Sequence, residues 1–574
     1  MNLYNLIELK TFNIFPEYFL GISALYMLIV IVLISYNVFG LIIQRSISDC
    51  IGLILLLACY LIINDDLLFC SNDFGFYTSL GLYKSVVTDY FGFFTKFMVC
   101  FFSAIYFFVI ADFLKEYKLT SFEYLLTLLF AVLGLLLLCT SNDLLSAYLA
   151  IELVSLSSYL LASFKKNSSY SVEAGIKYLI TGSISSAFFL LGSSFIYASV
   201  GTIYLSDFWS LFVDGTWIPR QEQKVLWQEM CILSDAGPTK EYLENVYINQ
   251  YIDWEAYTFL NYINKLIPVS MELFTSLQNP IFLDPFVEIG LTFIIFSLFI
   301  KLALAPFHLW SLDVYEGSPT ISTFFFAVIT KLSIFVFLTR ICYSTISFKE
   351  SWQFYAIFVS LLSVFVGSFG GLRQKKLKTL LAYSSISHMG YVLLSFSTAT
   401  QFGIEMLLLY LVVYMLSGIA IWFVVLAVRE NKSHYYNKFN KELGDFALLR
   451  KSNPALAISF SIAMFSIAGI PPLIGFFAKL GIFLSILYVE YYVVALLTVL
   501  CSVVSTFYYI RIIKILYFEN ILVGKLYYPI KTNKILFLTI SIFALFFLFV
   551  NPTLMYILIH NVVWRSFYGF VYIF

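Results

Sequence analysis

Residues 293–320 read FIIFSLFIKLALAPFHLWSLDVYEGSPT. Between Phe293 and Leu312, 20 residues carry a single lysine, Lys301, and no acid. A mostly apolar run of about 20 residues is what a helix needs to cross the hydrocarbon of a bilayer. Pro306 falls inside it. Proline has no N–H to donate, and its ring clashes with the carbonyl of Leu302, so the helix is expected to kink or open one turn past Lys301. The stretch therefore predicts a spanning helix with a buried cation beside a break.

The rest of the chain repeats this chemistry. Of 574 residues, 61% are hydrophobic, 20% aromatic and only 12% charged, and the mean hydropathy is +0.90. A soluble protein carries about a quarter charged residues, so most of this surface does not meet water. Apolar runs place about fourteen spans, near 18–43, 48–64, 88–113, 122–140, 143–163, 172–203, 286–312, 318–342, 352–371, 377–400, 402–428, 454–486, 487–513 and 535–559. The runs are continuously apolar rather than alternating, which makes them helices and not barrel strands. The fold class expected is an all-α polytopic membrane protein.

Composition also excludes functions. With 34 Lys+Arg against 34 Asp+Glu there is no basic stripe for nucleic acid. Eight Cys lie scattered without a CxxC pair, which indicates neither a disulfide framework nor a metal site. Met1–Pro16 lacks a basic start followed by an apolar core, so no cleavable signal peptide is expected.

Charge is unevenly spread. Residues 204–285 hold 11 acids and four bases, Arg220, Lys224, Lys240 and Lys265, and read as an acidic extramembrane insertion rich enough in Trp and Tyr to fold or dock. Loops after odd-numbered spans hold 20 bases, among them Arg45, Lys115, Lys166, Arg373, Lys438 and Lys531, against three, Lys84, Arg340 and Lys349, in the short loops after even-numbered spans. Bases mark the side of insertion, so both termini and 204–285 are expected on the opposite, outer side.

Five lysines are left inside apolar runs, Lys96, Lys177, Lys301, Lys331 and Lys479, and two acids are similarly isolated, Glu152 and Glu405. An ionisable group at mid-membrane costs several kcal/mol, so it usually faces the protein interior and marks an ion path. Lys96 and Glu405 fit an interfacial place equally well, by snorkelling. Four lysines deep in separate spans are harder to explain that way. In FSIAGIPPLIGFFAKLGIF, Pro471 and Pro472 repeat the break, with Lys479 seven residues beyond Pro472. Broken helices at membrane depth line cavities, and paired breaks in two halves of a transporter point to the translocation path. His308, seven residues past Lys301, is expected near two turns along the same face, where an imidazole can relay protons. Glu152 and Lys177 lie on consecutive spans and are expected to pair, either as a switchable proton-loading site or as a static ion pair. His388 is the remaining mid-span titratable group, a relay or a hydrogen bond to Ser385 or a neighbouring helix.

The strings NDLLSAYLAIELVSLSSYLL, EAGIKYLITGSISSAFFLLGSSFIY, KLALAPFHLWSLDVYEGSPT, LKTLLAYSSISHMGYVLL and SIAGIPPLIGFFAKLGIF resemble the core motifs of the antiporter-like membrane subunits of respiratory complex I, of the chain 2 or bacterial subunit N kind. The resemblance covers most of residues 120–490. It implies two five-helix repeats of inverted topology, spans 4–8 and 9–13, with spans seven and twelve broken. The implied organisation is three spans in 1–120, a first repeat in 121–203 and 286–342, the insertion at 204–285, a second repeat in 343–515, and a last loop and span in 516–574. The family's proton-path positions carry over to Glu152, Lys177, Lys301, Lys331 and Lys479, with His308 and His388 lining the polar axis. The insertion departs from the family pattern.

The implied function is proton translocation coupled to NADH-to-ubiquinone electron transfer. A stand-alone cation/proton antiporter is the alternative. No glycine-rich nucleotide fingerprint or CxxC series is present, so this chain is expected to bind no cofactor; NADH, FMN, iron–sulfur clusters and ubiquinone belong to other subunits. Expected partners are neighbouring antiporter-like chains of the membrane arm and lipids, with accessory subunits or another respiratory complex at 204–285. The 62 Phe and 42 Tyr look like the output of an AT-rich genome, and the expected location is the mitochondrial inner membrane, with termini and insertion facing the intermembrane space.

Overall fold

The computed structural model describes residues 15–35, 40–70, 79–81, 84–117, 119, 121–212, 285–428, 442–447, 449–519 and 532–571. Apart from one short antiparallel strand pair, Ser79–Gly81 with Val86–Thr88, regular structure among them is helical. The longer helices are α1 (Phe15–Ser35), α2 (Gly40–Cys70), α3 (Tyr90–Ile110), α4 (Glu123–Thr140), α5 (Leu144–Ala162), α6 (Ser169–Val200), α7 (Pro285–Leu302), α8 (Leu309–Gly317) and α9 (Thr320–Val328). They continue as α10 (Thr330–Ser344), α11 (Lys349–Leu372), α12 (Leu377–Ser397), α13 (Gln401–Ala427), α14 (Pro454–Ala468), α15 (Ile474–Tyr488), α16 (Tyr492–Tyr517), α17 (Thr532–Val550) and α18 (Thr553–Val571).

Two series of five spans follow one another, α4, α5, α6, α7/α8, α9–α10 and then α11, α12, α13, α14/α15, α16. In each the fourth member is broken, at Ala303–His308 and at Gly469–Leu473. Among the described residues ten helices are long and apolar enough to cross a membrane, eleven if the bent pair α17–α18 is one span. The expected spans outside this count, among the described residues, are α1 and three that depart from a simple apolar helix. Broken α14 and α15 have only 15 residues each. α12 carries Ser384, Ser385, Ser387 and His388, yet nearly all of it is buried in protein, so it needs no apolar surface for lipid. The expected span 535–559 is divided as well: α17 and α18 meet at 84°, where Pro552 withholds a backbone donor.

Burial sorts the helices. In α9–α10 and α13, 94% of the apolar window is buried, against 28% in α6 and α16, whose outward Ile176, Leu496 and Val503 remain exposed. That outer apolar surface is what a bilayer covers. Small residues bring backbones together, as where a Cβ on Gly192 of α6 would stand 2.5 Å from the Gly290 oxygen of α7.

One sequence expectation about charge is corrected here, and one that was open is decided. Arg340 is not in a loop: it lies in the last turns of α10, buried, donating to Asp89 Oδ1 at 2.7 Å and to the Cys139 carbonyl at 3.1 Å. Asp89 is also the N-cap of α3, accepting from Gly92 N–H at 2.8 Å, so one carboxylate ties α3 to α10. Lys96, for which an interior and an interfacial place stood equal, is buried in protein, 2.8 Å from Glu17 of α1 with both side chains at most 3% exposed. Of the insertion at 204–285, everything beyond Phe212 and before Pro285 lies outside the described residues.

Candidate functional site

The site grows from the two breaks. α7 ends at Leu302, Ala303 takes φ +58, and the Ala305–Pro306 bond is cis. α14 ends at Ala468, Gly469 takes φ +79, and the Pro471–Pro472 bond is cis. An interrupted helix leaves carbonyls without their usual partners. At the first break Trp310 Nε1 donates to the Ile300 carbonyl at 3.0 Å. At the second, Lys479 Nζ itself donates to the Ala468 carbonyl at 2.7 Å. Gly475 makes that close return possible, because a Cβ there would overlap the Ser466 carbonyl.

Lys301 Nζ is 3.4 Å from Tyr159 OH. With Lys331 it lines one cavity of about 40 Å³ that also takes in Ser155, Tyr178, Tyr315 and Thr330. A water needs roughly 10–15 Å³ on this measure, which leaves room for about three between the two lysines. Lys331 Nζ reaches Tyr414 OH at 3.3 Å. Tyr414 then shares a cavity of about 10 Å³, one water in size, with His388, Tyr410 and Ser466. His388 Nδ1 lies 2.6 Å from Tyr410 OH and Nε2 2.8 Å from Tyr509 OH. Lys479 is 5.7 Å from the Tyr391 ring, which in turn is 6.4 Å from the His388 ring. Lys301, Lys331, His388 and Lys479 thus form one polar line through both halves. Hydroxyls and water-sized cavities fill the gaps from Lys301 to His388, and the Tyr391 ring stands between His388 and Lys479; hydroxyls and waters pass protons along hydrogen bonds.

Other expected site residues sit elsewhere. Glu152 and Lys177 are not paired: Lys177 Nζ holds Asp313 at 2.7 Å and Glu173 at 2.8 Å, with 43% of its side chain exposed. The reason is local. Glu173 is one turn earlier on the same helix, and the break swings α8 so that Asp313 meets α6. Glu152 instead accepts from Ser155 Oγ at 3.1 Å, while its Oε1 has no hydrogen-bond partner. His308 does not share a helical face with Lys301, because residues 303–308 are not helical; it precedes α8, half-buried, its Nδ1 without a hydrogen-bond partner. Glu405 is buried and 2.7 Å from His560 Nδ1 on α18.

Sequence reasoning missed the tyrosines that join the lysines. Tyr410 and Tyr414, four apart in the otherwise apolar run MLLLYLVVYML, were a usable signal. It missed Asp313 and Glu173 too. Outside the spans, Lys376 at the start of α12 pairs with Glu316 of α8, and Lys378 Nζ donates to the Ser318 carbonyl at 2.8 Å. The Glu316 carboxylate holds the Lys376 ammonium above the usual lysine range.

The family described as NADH:quinone oxidoreductase/Mrp antiporter, TM, matches residues 141–234 and 269–505, which include every member of the polar line and both breaks. The chain belongs to this family. Curated relatives in it include NADH-ubiquinone oxidoreductase chain 2 of Marchantia polymorpha, 33% identical over 84% of each chain. Another is NADH-quinone oxidoreductase subunit N of Paramagnetospirillum magneticum, 32% identical over 76% of each. Among solved structures, a chain of respiratory complex I from Thermus thermophilus with bound aureothin superposes with a TM-score of 0.66 at 23% identity, covering 94% of this chain and 98% of that one. That likeness supports the antiporter-like fold.

Proposed function

We propose that this chain is the proton-translocating, antiporter-like membrane subunit of a respiratory complex I, of the chain 2 or subunit N kind. The observation that carries the reading is the buried line Lys301–Lys331–His388, linked by Tyr414 and water-sized cavities, with Lys479 beyond the Tyr391 ring. The relatives named chain 2 and subunit N favour this over a stand-alone antiporter.

Coupling enters through Lys177. Its neighbour Tyr178 stacks on Trp310, ring centroids 4.7 Å apart, and Trp310 holds the carbonyl next to Lys301. A charge that draws Lys177 from Asp313 therefore pulls on the frame of Lys301. The proton moves from Lys301 through the shared cavity to Lys331, then by Tyr414 and His388 to Lys479. The redox chemistry, with NADH, FMN, iron–sulfur clusters and ubiquinone, lies in other subunits. The plant mitochondrial relatives support an inner-membrane location, and the base-rich loops support orienting the termini and 204–285 to the intermembrane space. That insertion docks accessory subunits or another complex, with neighbouring antiporter-like chains and lipids around the spans.

In enzyme reconstituted into vesicles, Lys301→Met and Glu152→Gln are expected to lose much of NADH-driven proton pumping. Normal pumping by both variants would overturn the reading.

A further inference from the structure

α11 and α16 pack side by side, and each carries an exposed apolar stripe that ends in a base. On α11, Phe354, Phe358, Phe365 and Phe369 recur at helical spacing and remain exposed, with the Phe365 and Phe369 rings 4.5 Å apart. One turn on, exposed Arg373 closes the stripe at the end of the helix. On α16 the stripe is Leu496, Leu500, Val503, Phe507 and Ile510, and the next position on that face is exposed Lys514. The two ends lie level with each other. A Cβ on Gly371 would stand 2.9 Å from the Tyr508 ring, and Arg511 Nη1 donates to the carbonyls of Leu372 at 3.1 Å and Gln374 at 3.4 Å. Those bonds clip the end of α11 to α16 through one nitrogen of the guanidinium. Arg373, Arg511 and Lys514 thus gather at one end of the pair, none with a carboxylate partner among the described residues. Arg450 adds to this rim, 5.4 Å from the Tyr517 ring at the end of α16.

The pattern fits one ligand chemistry. Unpaired cations at the ends of spanning helices attract a phosphate, and the large apolar side chains beneath them offer contact to hydrocarbon chains. A partner helix fits less well. Helices approach closely in membranes through small residues, as Gly192 and Gly290 do between α6 and α7, and the exposed residues of both stripes are Phe, Leu, Val and Ile. A headgroup with its own ammonium would set a like charge beside three bases that have no acid to offer it. Insertion alone places bases on this side of the membrane, but it does not require three of them to converge, unpaired, where two apolar stripes end.

We propose that the outer face shared by α11 and α16 is a binding site for an anionic phospholipid. Its phosphate sits against Arg373, Arg511 and Lys514, and its acyl chains run along Phe365, Phe369, Phe507 and Ile510. The inference needs the chain only to span a membrane, so it stands or falls apart from the proton line.

The test uses the assembled complex in phosphatidylcholine vesicles that carry a small share of a photoactivatable lipid, with cross-linked peptides located by mass spectrometry. Two probes with the same diazirine-bearing chain are compared, a phosphatidylglycerol and a phosphatidylcholine. The phosphatidylglycerol probe is expected to label α11 and α16 around Phe365, Phe369, Phe507 and Ile510 clearly more strongly. Arg373→Ala with Lys514→Ala should bring it down toward the phosphatidylcholine level, at about fivefold per base removed, while Lys514→Arg keeps the preference. If the double variant does not assemble, Lys514→Ala alone is read, with a loss of about fivefold. Equal labelling by the two probes, or a preference that survives loss of the bases, would overturn the proposal and leave only unspecific bilayer lipid. No labelling of either helix by either probe would overturn it too, in favour of a partner chain on this face. Inorganic phosphate should not displace the lipid probe, because the chains hold it; full displacement would show that the site takes phosphate alone and would overturn the lipid as occupant.

Discussion

The two broken spans solve the same problem in different ways. At the first, Trp310 takes the Ile300 carbonyl and Lys301 is left with a long 3.4 Å contact to Tyr159 and a cavity with room for water. At the second, Lys479 takes the Ala468 carbonyl at 2.7 Å. The left-handed residue is Ala303 in one and Gly469 in the other. One lysine is free to move and the other is anchored, which suits a site that responds to coupling and a site that receives what has been passed on.

The largest effect is expected from the backbone at the second break. Gly469→Ala places a Cβ in the left-handed region, about 1–2 kcal/mol unfavourable, and 2.7 Å from the Lys479 Cδ, adding about 1–3 kcal/mol of overpacking. Thermal unfolding of the purified complex should show the loss. Ala303→Gly should leave the same melting temperature unchanged or slightly raised, since relieved strain offsets the added freedom of glycine, about 0.5–1 kcal/mol. Equal destabilisation by both would erase the contrast.

Next come the lysines. Lys479→Met strands a buried carbonyl, about 1–3 kcal/mol, whereas Lys301→Met removes only a long hydrogen bond. Both should abolish pumping, but only the former should lower the melting temperature clearly. Trp310→Phe keeps the stack on Tyr178 and removes the donor, costing about 0.5–1.5 kcal/mol; the pumping rate should fall by more than this small stability change explains. Lys376→Ala, at a half-exposed pair, should cost less than about 1 kcal/mol and nothing at high salt, in the same unfolding assay.

How much of this was legible in the sequence follows the same divide. Apolar runs, prolines and isolated lysines are local signals, so the all-helical fold, both breaks and the lysines of the line could be read directly. Partners were not legible, because they depend on which faces meet. Lys177 had Glu173 one turn away in sequence and took it, together with Asp313, in place of Glu152. The break that predicted a cavity also removed His308 from the face of Lys301. α12 looked like an ordinary span, and its burial explains why it tolerates five serines and His388. His560 lay just past what read as a straight final span, 535–559, and the bend at Pro552 is what turns it toward Glu405.

The central claim is that the lysines of the two halves exchange protons along one line, and Lys331 stands at its midpoint, lining the cavity of Lys301 and bonding Tyr414. The most direct test is the proton-to-electron ratio of the reconstituted complex carrying Lys331→Met. The account predicts a clearly lower ratio in a complex that still assembles. An unchanged ratio at normal NADH–quinone turnover would contradict it.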